Sequence, residues 1–273
     1  MTRRSPAVCG SAAGVSAAAL VASVTLAASA GFGGLLGAPA SAQSGFSGSS
    51  WGGRWDAASL RTYEDCVAKT KTDPETAFED GLIFRNQGGG ALARHCIALA
   101  LLELGQLEEA AARLEETAYM PDGGDADVRA ELLSQAGNVW MLARAPVEAE
   151  EAFTAAMSVK SGDPDIFIDR ARARAMLSHF ADAVSDLTVA LSLRPQDVLA
   201  LKLRADAHFE LGQLAQAEED VDAALAIDRH DVDALVVRGR LREARRVGIE
   251  AARDPAAADP GAAPSVLPDA PAL

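Results

Sequence analysis

Residues 198–227 read VLALKLRADAHFELGQLAQAEEDVDAALAI. Small and apolar side chains recur at Leu201, Ala205, His208 and Leu211, in steps of four, three and three, and again at Ala217, Val221 and Ala224, in steps of four and three. Such steps put side chains on one face of an α-helix, so the stretch reads as two amphipathic helices broken at Gly212.

The pattern is repeated. Gly137, Ala171, Ala205 and Gly239 stand 34 residues apart, and Leu133, Phe167, Leu201 and Leu235 precede them by four. Ala149, Ala183 and Ala217 form a further column, followed by Phe153, Leu187, Val221 and then Ala156, Ala190, Ala224. Several columns in one register mark a tandem helical hairpin that buries its apolar face by stacking on its neighbours. A shift of 39 residues from Gly137 finds an earlier copy at Ala98, with Arg94, Leu101, Leu104, Ala110 and Leu114. Its extra length falls in Pro121-Asp122-Gly123-Gly124-Asp125, a turn composition. Gly105 and Gly212 punctuate inner turns, and Asp163-Pro164 and Arg194-Pro195 mark boundaries between units. Small residues in mid-helix let two helices approach while a neighbour's bulky side chain fills the gap.

On these columns the chain resembles the tetratricopeptide-repeat family over about residues 91–246, four fuller units and one partial. The resemblance implies an all-α fold, a right-handed superhelical solenoid of stacked antiparallel helix pairs, whose concave groove is lined by the first helix of each pair. The chain departs from the family pattern at Thr117, where a late Ala is usual, at Arg144-Ala145-Pro146 in place of an inner Gly turn, and at Arg229 in place of a closing Pro. The resemblance also implies a mode of action, in which a partner's extended peptide or helix lies in the groove and no reaction is catalysed. Residues three before and one after each small residue face the groove in the resembled family. They are His95 and Leu99, Ser134 and Asn138, Ile168 and Arg172, and Lys202 and Asp206. Asn138, Arg172 and Lys202 suit backbone carbonyls or a carboxylate, and Ile168 and Leu99 an apolar side chain. The Lys, Asn and Arg set with which some relatives grip a C-terminal carboxylate is matched only in part, since Ser134 stands where it needs Lys.

The rest of the chain sorts by composition. Residues 1–42 carry Arg3 and Arg4, a long weakly apolar stretch and Ala38-Pro39-Ala40-Ser41-Ala42, the signature of a cleaved secretory signal, with a twin-arginine route left open. The bacterial periplasm is the expected compartment. The Gly- and Ser-rich residues 43–55 read as a disordered linker, residues 56–90 as an atypical capping helix pair (Leu60–Lys71 and Pro74–Asn86, the second opened by Asp73), residues 91–253 as the solenoid with its C-terminal capping helix, and the Pro/Ala-rich residues 254–273 as a disordered tail. With 25 basic against 39 acidic side chains the chain lacks the basic footprint of a nucleic-acid binder. Cleavage of the signal makes it more acidic still, which argues against stable membrane insertion of the mature protein.

Cys66 and Cys96 remain after cleavage. An even count in an exported chain, on first helices of adjacent stacked pairs, favours a disulfide, with two buried thiols or a metal site sharing His95 as the other readings. Gly88-Gly89-Gly90 before a helix reads as an interhelical turn rather than an anion cradle, for no lysine follows it. Glu108-Glu109, Glu115-Glu116, Glu148, Glu150-Glu151 and Glu218-Glu219-Asp220 fall on second helices, as a solvated convex face. No nucleophile, base and orienter come together, so neither enzyme activity nor a cofactor is expected. The last helix, read as Asp233–Arg246, carries Arg238, Arg240, Arg242, Arg245 and Arg246, either as a polar cap or as a dock for an acidic partner. Function therefore reads as a protein-binding scaffold of the cell envelope, the alternatives being a self-assembling oligomer and an accessory subunit of an enzyme complex.

Overall fold

Six of the helices open at an aspartate. In the computed structural model, which describes Trp51 and residues 55–253 (the last five by backbone alone), the side chains of Asp56, Asp73, Asp125, Asp163, Asp197 and Asp231 accept hydrogen bonds from the first free backbone N–H groups. Each supplies an acceptor and a negative charge where the helix has orphan donors and a positive dipole end. The helices are α1 (Ala57–Thr70), α2 (Pro74–Asn86), α3 (Gly90–Glu103), α4 (Leu107–Ala118), α5 (Ala126–Leu142), α6 (Pro146–Val159), α7 (Pro164–Met176), α8 (Phe180–Leu193), α9 (Val198–Glu210), α10 (Leu214–Ile227) and α11 (Val232–Arg253). No strand occurs among the described residues. The signal and tail read from the sequence lie outside them.

The inner turn is built four times in the same way. Gln106, Ala145, His179 and Gln213 each donate a backbone N–H to the carbonyl five residues earlier, at 2.8–2.9 Å. The residue before each is left-handed: Gly105, Arg144, Ser178 and Gly212 have φ of 74°, 59°, 61° and 71°. This is the Schellman turn. The unusual Arg144 turn therefore keeps the geometry that Gly provides elsewhere.

Each helix packs on the next, and the first helices also meet next-but-one, α5 with α7, α7 with α9 and α9 with α11. That is a stack in which each pair touches only its neighbours. Ala98, Ala171, Ala205, Ala149, Ala183 and Ala217 are fully buried. At Gly137 a Cβ would stand 2.6–2.8 Å from three atoms of the Phe153 ring, so this column is small because a second-helix side chain occupies the space. Leu235 ends its column at 37% exposure, since no helix of the described residues follows α11 to cover it.

Charged groups hold the stack as well. Arg170 donates Nε and Nη2 to Asp186 (2.9 and 2.7 Å) and Nη1 to Thr154 (3.1 Å). One unit later Arg204 donates the same atoms to Asp220 (2.9 and 2.6 Å) and Thr188 (3.3 Å). Asp186 and Asp220 are buried, so these forks tie each first helix to its own second helix and to the one before.

The N-terminal pair is joined to α3 by the Cys66–Cys96 disulfide, Cα atoms 6.1 Å apart. The expectation of an unstructured 43–55 linker fails at Trp51, one of three aromatic residues (Phe46, Trp51 and Trp55) in a Gly- and Ser-rich stretch. Trp51 is buried with its ring 5.9 Å from Tyr63 and 5.8 Å from His95. Trp55 packs against the same core. The glycines before α3 accommodate an anion after all, one from the chain itself. Asp122 accepts from the Ala91 N–H (3.1 Å), and a Cβ on Gly90 would collide with its carboxylate.

Candidate functional site

The groove residues read from the sequence share one face of the first helices, and that face is the seam where these helices meet. Asn138 donates Nδ2 to Asp169 (3.2 Å), and Arg172 donates Nη1 to the same carboxylate (3.1 Å). Lys202 donates Nζ to Asp231 (2.9 Å) and Asp233 (3.1 Å) across α9 and α11. Asp206 accepts from Arg240 Nη1 (2.8 Å), whose Nη2 donates to Glu210 (2.9 Å) while the guanidinium lies 4.3 Å from the centre of the Phe209 ring. Burial shapes the acids: it pushes Asp206 up to about 6 against the pull of Arg240, with nearby Glu210 adding to the rise. It also raises Asp169, opposed by Arg172 and Asn138. For Lys202 burial works downward, but Asp231 and Asp233 outweigh it and raise the ammonium.

Several of the eight positions are thus closed to a partner. Ser134, Asn138, Ile168, Lys202 and Asp206 are buried between adjacent first helices, while Arg172 and Leu99 are half-buried. His95 needs correction: it is wholly buried at the N-terminal end of the stack. Gln135 donates its Nε2 to Glu131, which leaves its Oε1 as an acceptor for His95 Nε2–H (3.1 Å), and Tyr63 O–H then donates to His95 Nδ1 (2.7 Å). Desolvation lowers the imidazole to about 4, so it is a neutral core bridge between α1, α3 and α5.

What remains open on this face was missed. Residues seven before and four after each groove position lie on the same helical stripe. Among them Leu142 and Leu199 are 45% and 40% exposed, and Asp165, which pairs with Arg194, and Glu210 present carboxylates, as does Asp233, one 34-residue repeat after Leu199. The seam's cations, Arg172, Lys202 and Arg240, are already answered by Asp169, Asp231, Asp233, Asp206 and Glu210, three positive charges against five negative. The face offered to a ligand is therefore acidic with leucines at its edge. Its signal in the sequence was the heptad step from the seam positions.

No protein-family model matches the chain, and no curated protein matches it. Among solved structures, YrrB, described as a tetratricopeptide protein with an unusual peptide-binding site, superposes with a TM-score of 0.55 at 16% identity, over 66% of this chain and 92% of that one. This chain has the tetratricopeptide-repeat fold. Two MamA structures agree: one has a TM-score of 0.51 at 14% identity, over 63% of this chain and 92% of that one. The other, residues 41 to the end from Desulfovibrio magneticus RS-1, has 0.52 at 13%, over 64% and 97%. Within this tetratricopeptide fold the Arg170–Asp186 and Arg204–Asp220 forks lie on the helix-pair side, away from the seam, and leave the stripe of Leu142, Leu199, Asp165, Asp233 and Glu210 as the candidate binding face.

Proposed function

We propose that this protein is a non-catalytic interaction scaffold of the bacterial envelope that holds a basic, partly apolar segment of another protein along the groove of its solenoid. One observation carries the ligand class. The seam cations Arg172, Lys202 and Arg240 are outnumbered by the carboxylates that engage them, and Asp233 and Glu210 among these, with Asp165 paired to Arg194, keep a side exposed to solvent on the stripe that also carries Leu142 and Leu199. An acidic rim favours arginine or lysine on the partner, and the leucines favour an apolar neighbour. A carboxylate clamp is disfavoured, because Asn138, Arg172 and Lys202 have already spent donors on internal acceptors. The peptide-binding site ascribed to YrrB supports the mode of action by fold analogy. The export signal read in residues 1–42 and the Cys66–Cys96 bridge support an oxidising compartment.

Affinity capture from periplasmic extract tests the reading. Wild-type protein retains a partner that the Leu142→Asp, Leu199→Asp variant loses with unchanged helicity. Retention of the same set by both proteins refutes the groove assignment. Size-exclusion of the purified protein separates this scaffold from a self-assembling oligomer.

A further inference from the structure

Among the described residues the stack ends on half a hairpin. In α11 the columns of the first helices continue, with Leu235 in register with Leu201, Gly239 with Ala205, Arg238 with Arg204 and Arg170, and Arg242 with Arg174. In the two preceding units the second helix covers these positions, and its buried aspartate takes the arginine fork: Asp186 accepts from Arg170 and Arg174, and Asp220 from Arg204. On α11 the same surface lies open. A Cβ at Gly239 would meet nothing within 4 Å, whereas Ala205 is fully buried, and Val232 is 71% exposed. Among the described residues neither Arg238 nor Arg242 makes an ion pair, although Arg240, Arg245 and Arg246 all do.

We infer that this face of α11 docks an amphipathic helix of a partner protein, which supplies in trans the second helix of the last hairpin and sets an aspartate between Arg238 and Arg242. The chain itself shows the sequence such a helix needs. Both α8 and α10 read Ala-x-x-Asp-(Leu or Val)-x-x-Ala, at Ala183, Asp186, Leu187, Ala190 and at Ala217, Asp220, Val221, Ala224. The alanines admit close approach, the Leu or Val fills the space beside the small residue of the first helix, and the aspartate answers the arginines. The chain's own tail is a poor source: Pro255, Pro260, Pro264, Pro268 and Pro271 are never more than five residues apart, and proline interrupts a helix interior. A second copy meeting this one α11 to α11 would oppose its arginines to their own kind. The site is separate from the groove, and either reading stands if the other fails.

The probe is a labelled peptide of residues 179–194, which spans α8, closed into a helix by a lactam between Ser185→Lys and Val189→Asp, two positions exposed in the native stack. Titrated into the full chain and followed by fluorescence anisotropy, it binds saturably. Affinity falls about tenfold or more when the peptide carries Asp186→Lys, and equally when the protein carries Arg238→Glu with Arg242→Glu. Gly239→Phe, which has room to fold, blocks binding, whereas Leu142→Asp in the groove leaves it unchanged. Absence of binding by the preformed helix overturns the inference, as does binding insensitive to Gly239→Phe. So does sedimentation showing a wild-type dimer that Gly239→Phe dissociates, for the face then belongs to a second copy.

Discussion

Replacing Asp186 by alanine removes one carboxylate that three guanidinium nitrogens use, Nε and Nη2 of Arg170 at 2.9 and 2.7 Å and Nη1 of Arg174 at 2.8 Å. Asp186 is 3% exposed, and the side chains of Arg170 and Arg174 are 14% and 18% exposed, so water cannot readily replace it. Breaking a buried pair from one side costs about 3–5 kcal/mol, because the remaining charge keeps its desolvation penalty. Here Arg170 keeps Thr154 and Arg174 keeps Glu150, which places the cost at the lower end, about 3 kcal/mol. With a urea slope of about 2 kcal/mol/M, the midpoint read by circular dichroism drops by roughly 1.5 M. Asp186→Leu with Arg170→Met recovers much of the loss, since an apolar pair of similar volume leaves one fewer buried charge. The comparison is Glu109→Ala, whose exposed partner Arg113 sits one turn away and contributes about 0.3–0.5 kcal/mol. If Asp186→Ala moves the midpoint no further than Glu109→Ala, the fork does not hold the stack.

Three further outcomes follow from the same geometry. Gly137→Val destabilises by about 1–3 kcal/mol in urea titration because the fully buried Phe153 ring blocks it, whereas Gly239→Ala, in the same column, gains up to about 1 kcal/mol of helix propensity; equal effects would contradict the register. The Cys66–Cys96 bridge, with 30 residues of separation, stabilises by roughly 3–4 kcal/mol in the loop-entropy model. Alkylation of both thiols in denatured, unreduced protein purified after export under oxidising conditions would exclude it. His95, held at about 4, binds fewer protons folded than unfolded between about pH 6.5 and 4, so it costs stability as pH falls through that window, on the order of 3 kcal/mol in all. Asp206, held at about 6, takes up its proton earlier when folded and partly offsets this loss. Asp206→Asn therefore gives a steeper decline between pH 6 and 4 than wild type, and a shallower one refutes the assignment.

Helices and their order were legible because their causes are local and repeated. An aspartate before a periodic run, a small residue every 34 positions and glycine at an inner turn act within a few residues of themselves. The Arg170–Asp186 fork was also present in the columns, recurring at Arg204–Asp220, but reading the second-helix acids as a solvated face concealed it. The groove was half legible. Register shows which side chains share a face, but not how near the neighbouring first helix stands. Only that distance turns the donors Asn138 and Lys202 and the acceptor Asp206 from exposed polar groups into paired seam residues and leaves Leu142 and Leu199 at the edge. His95 followed the groove register too, and its fate depended on Tyr63, Gln135 and Trp51, which come from three separate segments. Composition likewise hid Trp51, because the few aromatic rings of residues 43–55 are diluted among glycines and serines.

A partner lying in the groove is tested most directly by site-specific photocrosslinking in cells that express the protein. A photoreactive phenylalanine analogue replaces Leu142 or Leu199 on the groove edge, or exposed Val189 on the second helix α8. The account predicts an adduct with the same distinct protein from both groove positions and none from Val189, with loss of both adducts when Glu210→Lys weakens the acidic rim. An adduct from Val189 but from neither groove position, or groove adducts that contain only a second copy of this chain, would contradict it.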